Sequence, residues 1–246
     1  MNRLVAAALF FVTIDASAQC TPALNEARVD VVSQGLWRGI NLGGRIFAEP
    51  RVDVGLCGRP ATTIGTRGTD LTVEAWIPVQ YGNGTDLESV RARHLWYFGE
   101  DKDHNWIGAS VRESHWGNGG PHVWTTELAL EARKRIAIES EGFRADAFAE
   151  VARDLNRFKA TYARVGIEHE IGGVSIPFQG EVELYTSASD YSGSFGWHDA
   201  QISVWALRRL GSGSARIAIG GGYDRVAHDI GRSRAWAGVG FRLHHS

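Results

Sequence analysis

The chain has 246 residues, with 26 Lys and Arg side chains against 28 Asp and Glu side chains, and a formal net charge of −2. A polyanion finds no net attraction on such a chain, so the composition argues against a nucleic-acid partner. Thirty glycines, nine tryptophans and 43% hydrophobic residues exclude a disordered or collagen-like chain and fit poorly with a helical bundle. The composition is that of a β protein.

The first eighteen residues have the three parts of an export signal. Arg3 gives a basic start, residues 4–12 form an unbroken apolar run, and Ala16 and Ala18 match the A-x-A pattern of a signal-peptidase site. We therefore expect residues 1–18 to be a cleaved signal peptide and residues 19–246 to form one exported domain. Cys20 lacks the preceding residues of a lipoprotein signal, so no lipid anchor is expected.

The exported part contains no apolar run of the ~18–20 residues that a transmembrane helix needs. A helical membrane protein is therefore excluded. Two classes remain, a soluble exported β domain and a β-barrel in the outer membrane of a Gram-negative cell.

Alternation of apolar and polar residues recurs along the exported part, with turn-forming residues between the alternating segments, and this pattern predicts β-strands. Most segments have the ~9–11 residues of a tilted membrane strand. The predicted strands cover residues 27–34, 47–57, 69–79, 88–98, 105–115, 123–133, 143–153, 159–169, 175–185, 197–207, 214–223 and 233–243.

Each predicted strand has one apolar and one charged face, as Leu71, Val73 and Ile77 lie opposite Asp70 and Glu74 in the third strand. A soluble sandwich would show the same alternation. The even number of strands, apolar faces rich in Ala and Val, and aromatic residues near strand ends favour a membrane barrel. We predict an all-β fold, a single antiparallel up-and-down transmembrane β-barrel of about 12 strands, with both chain ends on the periplasmic side. Its expected partners are outer-membrane lipid, the barrel-assembly machinery and small solutes.

Charged residues on the polar faces are the main indication of function, because a barrel of about twelve strands is intermediate between a filled and an open lumen. Opposite charges that pair across the lumen would narrow or close it. Charges segregated to opposite walls would instead form a narrow passage that selects small polar or zwitterionic solutes. We expect such a passage, with a closed structural or adhesion barrel as the alternative. The predicted lumen-lining residues are Arg91, Arg93, Arg112, Glu127, Glu131, Arg164, Glu181 and Glu183.

Two cysteines in an exported chain indicate one disulfide. Cys57 ends the second predicted strand at the periplasmic rim, and Cys20 precedes the first strand at the same rim, so we predict a Cys20–Cys57 bridge. Two reduced thiols are the alternative. His115 and His122 flank a Gly-rich predicted loop, where a surface metal site is the alternative to a solvated loop. The solvated loop is favoured, and no metal and no cofactor are expected.

A lipid-modifying enzyme is a further class, since some twelve-strand outer-membrane barrels are phospholipases with a Ser and a His on the outer wall. The apolar faces hold His94 and His198. The chain has no G-x-S-x-G, H-E-x-x-H or P-loop motif. We therefore expect no enzymatic activity.

A short stretch between the first two long strands carries a family resemblance. It consists of Leu36, Trp37, Arg38, Gly39 and Ile40. With the preceding residues 31–35, it resembles the end of the first strand in the TorF-type family of outer-membrane porins, where Ser-x-Tyr/Leu-x-Arg-Gly-Ile/Val stands. The resemblance implies a small outer-membrane barrel with a pore role.

Overall fold

The computed structural model describes thirteen parts of the chain, and the fold below refers to these parts. They are residues 23–33, 36–37, 40–42, 46–57, 67–79, 86–98, 104–117, 122–137, 144–171, 178–190, 195–210, 213–224 and 232–244. The predicted signal peptide and Cys20 lie outside the described residues. None of the described residues forms a helix that could span a lipid bilayer.

Twelve long strands form one closed antiparallel barrel. In chain order they are β1 (Ala23–Val32), β4 (Phe47–Cys57), β5 (Arg67–Pro78), β6 (Leu87–Tyr97), β7 (Trp106–Trp116), β8 (Val123–Ala137), β9 (Arg144–Asp154), β10 (Thr161–Ile171), β11 (Phe178–Ser189), β12 (Gly196–Leu210), β13 (Gly213–Asp224) and β14 (Arg232–His244). Each strand pairs with its neighbours in sequence, and β14 pairs with β1 to close the barrel. The predicted fold class is confirmed.

The strand limits differ from the predicted ones at a few places. β1 begins at Ala23, before the start of clear alternation, while β8 and β12 each extend to 15 residues. The connection after β1 contains a separate two-strand hairpin, β2 (Leu36–Trp37) and β3 (Ile40–Asn41). Strands of two residues are too short to show any alternation, which is why the sequence pattern missed them.

The two rims of the barrel follow from the up-and-down order. The terminal rim is the end at which β1 begins at Ala23 and β14 ends at His244. The distal rim is the opposite end, where β1 ends at Val32 and β9 ends at Asp154. Both ends of the described chain therefore lie at one rim, as an even number of antiparallel strands requires.

The outer wall of the barrel is apolar. Val73, Leu130 and Val239 project outward from the middle of their strands, Ile107 projects outward near the start of β7, and Leu130 is 68% exposed. In a soluble sandwich these side chains would pack together in a dry core. Their outward position rules out that alternative and gives the barrel the lipid-facing surface of a membrane protein.

Aromatic side chains lie on the same outer wall near the strand ends. Trp96 and Phe98 are exposed at the terminal rim, and Trp124 is exposed at the distal rim. Amphipathic aromatic rings favour the boundary between hydrocarbon and water. These residues therefore have the placement expected of interfacial girdles.

A β-bulge between β11 and β12 reverses the predicted orientation of His198. Ser187 pairs with Asp199 and Ala188 pairs with Trp197, so His198 is the extra residue of the bulge. Its Nδ1 lies 3.0 Å from the Ser189 hydroxyl, on the lumen side of the barrel. The prediction that His198 lies on the apolar face was wrong, because regular alternation does not hold across a bulge.

Candidate functional site

The lumen holds a group of mutually paired charges on β5, β6, β7 and β8, which we call the ion network. Its members are Asp70, Glu74, Arg91, Arg93, Arg112, Glu127 and Glu131. Arg91 and Arg93 each place an Nη1 atom 3.4 Å from Oε2 of Glu131. Arg93 also donates from Nη2 to Asp70 at 2.9 Å, and the Ser110 hydroxyl donates to Glu131 at 2.6 Å. Two guanidinium groups thus share one carboxylate.

The two arginines reach Glu131 across β7, because the inward positions of β7 are small at this level. Ser110 lies opposite Arg93, and Gly108 lies opposite Glu131. A Cβ atom at Gly108 would come within 2.7 Å of the Leu95 side chain. The strand between the charges therefore has no room for a larger side chain at this position.

Arg112 continues the ion network toward the distal rim. Its Nη1 lies 3.6 Å from Glu127, and its Nη2 lies 3.7 Å from Glu74. Glu74 also accepts a hydrogen bond from Ser89 at 3.0 Å and lies 3.9 Å from Nη1 of Arg51. Charges of both signs therefore neutralise one another over this half of the lumen.

A second group of charges surrounds Asp146 near the terminal rim. Arg133 and Arg135 donate to its two carboxylate oxygens over 2.6–2.8 Å, and the His104 ring contacts the same carboxylate. Arg133 also lies 3.1 Å from Glu168 on β10. This cluster joins the turn between β6 and β7 to the inner wall.

Arg164 on β10 occupies a cleft between two aromatic rings. Its guanidinium lies 5.3 Å from the Phe148 ring and 5.8 Å from the Tyr185 ring, within the range of cation–π attraction. Its Nε donates to Glu150 at 2.9 Å. A Cβ atom at Gly166 would lie 2.4 Å from the Phe148 ring, so glycine at this position leaves the space that the ring occupies.

A cavity in the lumen lies on the other side, along β1, β4, β11, β12 and β14. It has a volume of about 170 Å³, and we call it the lumen cavity. Its lining residues are Arg28, Asp30, Val32, Glu49, Glu181, Glu183, Tyr185, Gln201, Ser203, Trp205 and Trp236. The cavity therefore lies to one side of the barrel lumen, and the ion network occupies the opposite side, along β5 to β8.

Glycines in β13 and β14 leave room for side chains that form the wall of the lumen cavity. A Cβ atom at Gly220 would lie 2.3 Å from the Trp236 ring, so the indole covers the glycine directly. Trp236 and Trp205 face each other with ring centroids 5.7 Å apart. Placing an aromatic ring over a cross-strand glycine is a common way to protect such a position.

Two arginines partly balance the carboxylates of the lumen cavity. Arg242 places Nη1 3.3 Å from Glu181 and Nε 3.6 Å from Glu26. Arg28 places Nε 3.5 Å from Asp30. Among the described residues, the lining of the cavity includes four carboxylates and the guanidinium of Arg28, whereas Arg242 is not among the lining residues.

The structure places the eight predicted lumen residues in three groups. Arg91, Arg93, Arg112, Glu127 and Glu131 lie in the ion network. Arg164 lies in the aromatic cleft, while Glu181 and Glu183 line the lumen cavity. The first group is paired across strands, and the last lies beside the lumen cavity.

Several charged partners in the lumen were absent from the predicted set. They include Asp70, Glu74, Asp146 and Glu150. All four stood on the polar faces of predicted strands, so the alternation alone could have found them. Their pairing depends on strand register, which the alternation does not supply.

Two further sequence predictions fall largely outside the described residues. The Cys20–Cys57 bridge remains a prediction, because Cys20 and the side chain of Cys57 lie outside them. In the stretch with the family resemblance, Leu36 and Trp37 form β2 and Ile40 begins β3. Arg38 and Gly39 lie outside the described residues.

Three of the histidines considered for an enzymatic or metal site, His94, His115 and His198, contact neighbouring side chains. His94 lies on the outer face, as predicted, but it is only 4% exposed, and its Nδ1 lies 3.2 Å from the Thr69 hydroxyl. The His115 ring packs on Trp124 with centroids 4.8 Å apart. Across the described ranges, no group of three His, Cys, Asp or Glu residues is placed to hold a metal ion.

Comparison with solved structures supports the architecture. The KdgM porin in complex with disordered oligogalacturonate has a TM-score of 0.51 and 12% identity, covering 90% of this chain and 99% of that chain. The chain has the fold of an outer-membrane β-barrel. The NanC porin aligns with a TM-score of 0.53 and 9% identity, covering 91% of this chain and 100% of that one. LpxR from Salmonella typhimurium aligns with a TM-score of 0.54 and 6% identity, covering 90% of this chain and 100% of that chain.

These three likenesses show a shared fold only, because their sequence identities are low. No protein-family model and no curated protein matches the chain. The ion network and the lumen cavity are therefore the basis for inferring the function.

Proposed function

We propose that the protein is a narrow porin-like channel of the outer membrane that passes small polar solutes. The main support for this proposal is the lumen cavity, which lies to one side of the barrel. Its wall combines carboxylates, Gln201, Ser203 and aromatic rings. A closed structural barrel needs no polar space along one wall, whereas a channel does. The fold shared with the KdgM and NanC porins agrees with this proposal.

The size of the lumen cavity limits what could pass. The cavity of about 170 Å³ exceeds the space that one water molecule needs, so it has room for several water molecules or one small solute. We propose a conductance well below that of a wide, water-filled porin.

The charge of the lumen cavity bears on the class of solute. The KdgM structure holds an acidic sugar polymer, oligogalacturonate. Glu49, Glu181 and Glu183 in the cavity described here would repel such a polyanion. We therefore propose small neutral or zwitterionic polar solutes rather than acidic polymers.

The proposed location is the outer membrane, with the apolar outer wall in contact with lipid. Signal-peptide cleavage, the barrel-assembly machinery as a partner and the TorF-type resemblance remain proposals that agree with this location. We propose no enzymatic activity. His94 is buried beside Thr69, and His198 is buried beside Ser189, so neither imidazole is open to a lipid substrate.

Single-channel recording in planar bilayers tests the proposal. The refolded protein is expected to give small, stable conductance steps, and Trp236→Ala is expected to raise the step size by about twofold, since it removes an indole from the narrow passage. The matched control is Trp124→Ala, which removes an indole from the outer wall, where Trp124 is 51% exposed. A folded but silent barrel, or an equal effect of both substitutions, would support the closed-lumen alternative instead.

A further inference from the structure

The turn between β9 and β10, residues 155–160, has its backbone fixed by one buried carboxylate. Oδ1 of Asp154 accepts hydrogen bonds from the backbone N–H groups of Asn156, Arg157, Phe158 and Lys159 over 3.0–3.1 Å. The other oxygen of Asp154 is bonded by a threonine hydroxyl from β8. The turn is therefore preorganised at the distal rim, and its side chains have a rigid support.

This rigid turn presents cations to its surroundings. Arg157 and Lys159 have exposed side chains, and within the described residues neither makes an ion pair. Arg153, at the distal end of β9, faces outward and is also half exposed. We call these three residues the β9–β10 basic patch.

The nearby carboxylates are already engaged with protein groups. Asp190 lies 3.4 Å from Nη1 of Arg153 and also accepts the backbone N–H of Thr161. Glu113, on the outer face of β7, accepts a hydrogen bond from the Thr126 hydroxyl at 2.7 Å. Asp190 therefore balances Arg153, and the cations of the patch that the described carboxylates leave without an ion pair are Arg157 and Lys159.

The patch borders the apolar outer wall of the barrel. Val151 projects outward two residues before Arg153 on the same strand, a spacing of about 7 Å along β9. Leu155 adds an exposed apolar side chain to the turn, while the Phe158 ring packs on Trp116 with centroids 5.7 Å apart. Arg153, directly above the lipid-facing wall, lies where the headgroups of a bilayer would lie, and the turn with Arg157 and Lys159 follows it in the chain.

We propose that the β9–β10 basic patch binds the phosphate groups of a lipopolysaccharide molecule in the outer leaflet. Its acyl chains would lie along the wall formed by Leu128, Val151 and Val165, all of which are exposed on the outer face. Phosphate oxygens would accept charge-assisted hydrogen bonds from Arg157 and Lys159. The proposal rests on the outer-membrane location with the distal rim outward, and it does not require the lumen to conduct.

Binding of lipopolysaccharide to the refolded full-length protein in detergent tests this site. The double variant Arg157→Gln/Lys159→Gln is expected to weaken binding of purified lipopolysaccharide by about tenfold, because each cation near an anionic headgroup contributes to the attraction. Dephosphorylated lipopolysaccharide is expected to bind the native protein as weakly as the intact molecule binds the double variant. Inorganic phosphate at millimolar concentration is expected not to compete.

The matched control is Lys134→Gln, which removes an exposed outward cation near the terminal rim of β8. This variant is expected to bind lipopolysaccharide like the native protein. The three substituted side chains, Arg157, Lys159 and Lys134, are all on the surface, so heat-modifiable gel migration should show every variant folded. Equal binding by the double variant, equal loss in Lys134→Gln, indifference to dephosphorylation, or competition by free phosphate would each overturn the proposal.

Discussion

Replacing Glu131 with Gln is expected to lower the free energy of unfolding by about 3 kcal/mol, because removing one partner of a buried ion pair leaves the other charge uncompensated. Arg91 and Arg93 both lie 3.4 Å from this carboxylate, and only Arg93 has a second one, Asp70, within 2.9 Å. The Gln amide keeps the shape of the Glu side chain, so the decrease in the free energy of unfolding measures the contribution of the negative charge. Urea titration of the protein in lipid vesicles measures it.

Glu113→Gln is the matched control for this substitution. Glu113 projects from the outer face of β7, and its side chain accepts one hydrogen bond, from the Thr126 hydroxyl at 2.7 Å. Its replacement is expected to change stability by about 0.5 kcal/mol or less. A double variant Arg91→Gln/Glu131→Gln should recover part of the loss, since the unpaired guanidinium is removed as well. Equal effects of Glu131→Gln and Glu113→Gln would contradict the buried ion network.

Replacing Leu130 with Arg is expected to cost about 2–4 kcal/mol, because this residue lies at the centre of β8 on the outer wall and a mid-bilayer cation loses its hydration. Leu130 is 68% exposed in the isolated barrel, so on a soluble protein the same substitution would be almost neutral. Unfolding of the vesicle-inserted protein measures the difference.

Ile136→Arg is the depth control for this substitution. Ile136 also faces outward on β8, but it lies next to the terminal end of the strand, at Ala137. Its replacement is expected to cost about 0–1 kcal/mol, since an interfacial arginine reaches water. Equal costs at the two positions would mean that the outer wall does not cross a bilayer.

The strands and their two faces could be predicted from the sequence, because a lipid-facing wall and a polar lumen impose a strict alternation of residue types. The segment of β5 with Leu71 and Val73 opposite Asp70 and Glu74 is an example. The alternation assigns a side chain to the wrong face where a bulge interrupts the regular pairing of two strands. His198 was placed on the wrong face because a bulge inserts one residue there.

The arrangement of the lumen could not be predicted, since it depends on volume and register. Arg91 and Arg93 reach Glu131 across β7 because the inward positions of β7 between them hold only the small residues Gly108 and Ser110. The lumen cavity forms on the opposite side, where β13 and β14 supply glycines such as Gly220. The sequence shows the charges and the glycines, but only strand pairing decides which of them face each other.

Site-directed spin labelling tests whether the apolar faces contact hydrocarbon while polar groups surround a wet lumen. A nitroxide would be attached at Leu130→Cys on the outer wall, or at Ser203→Cys in the lumen cavity, with Cys20 and Cys57 replaced by Ser. In vesicles, we expect the label at position 130 to collide mainly with oxygen, which dissolves in hydrocarbon, and the label at position 203 to collide mainly with a water-soluble nickel complex. Preferential collision of the position-130 label with nickel, or of the position-203 label with oxygen, would contradict the account.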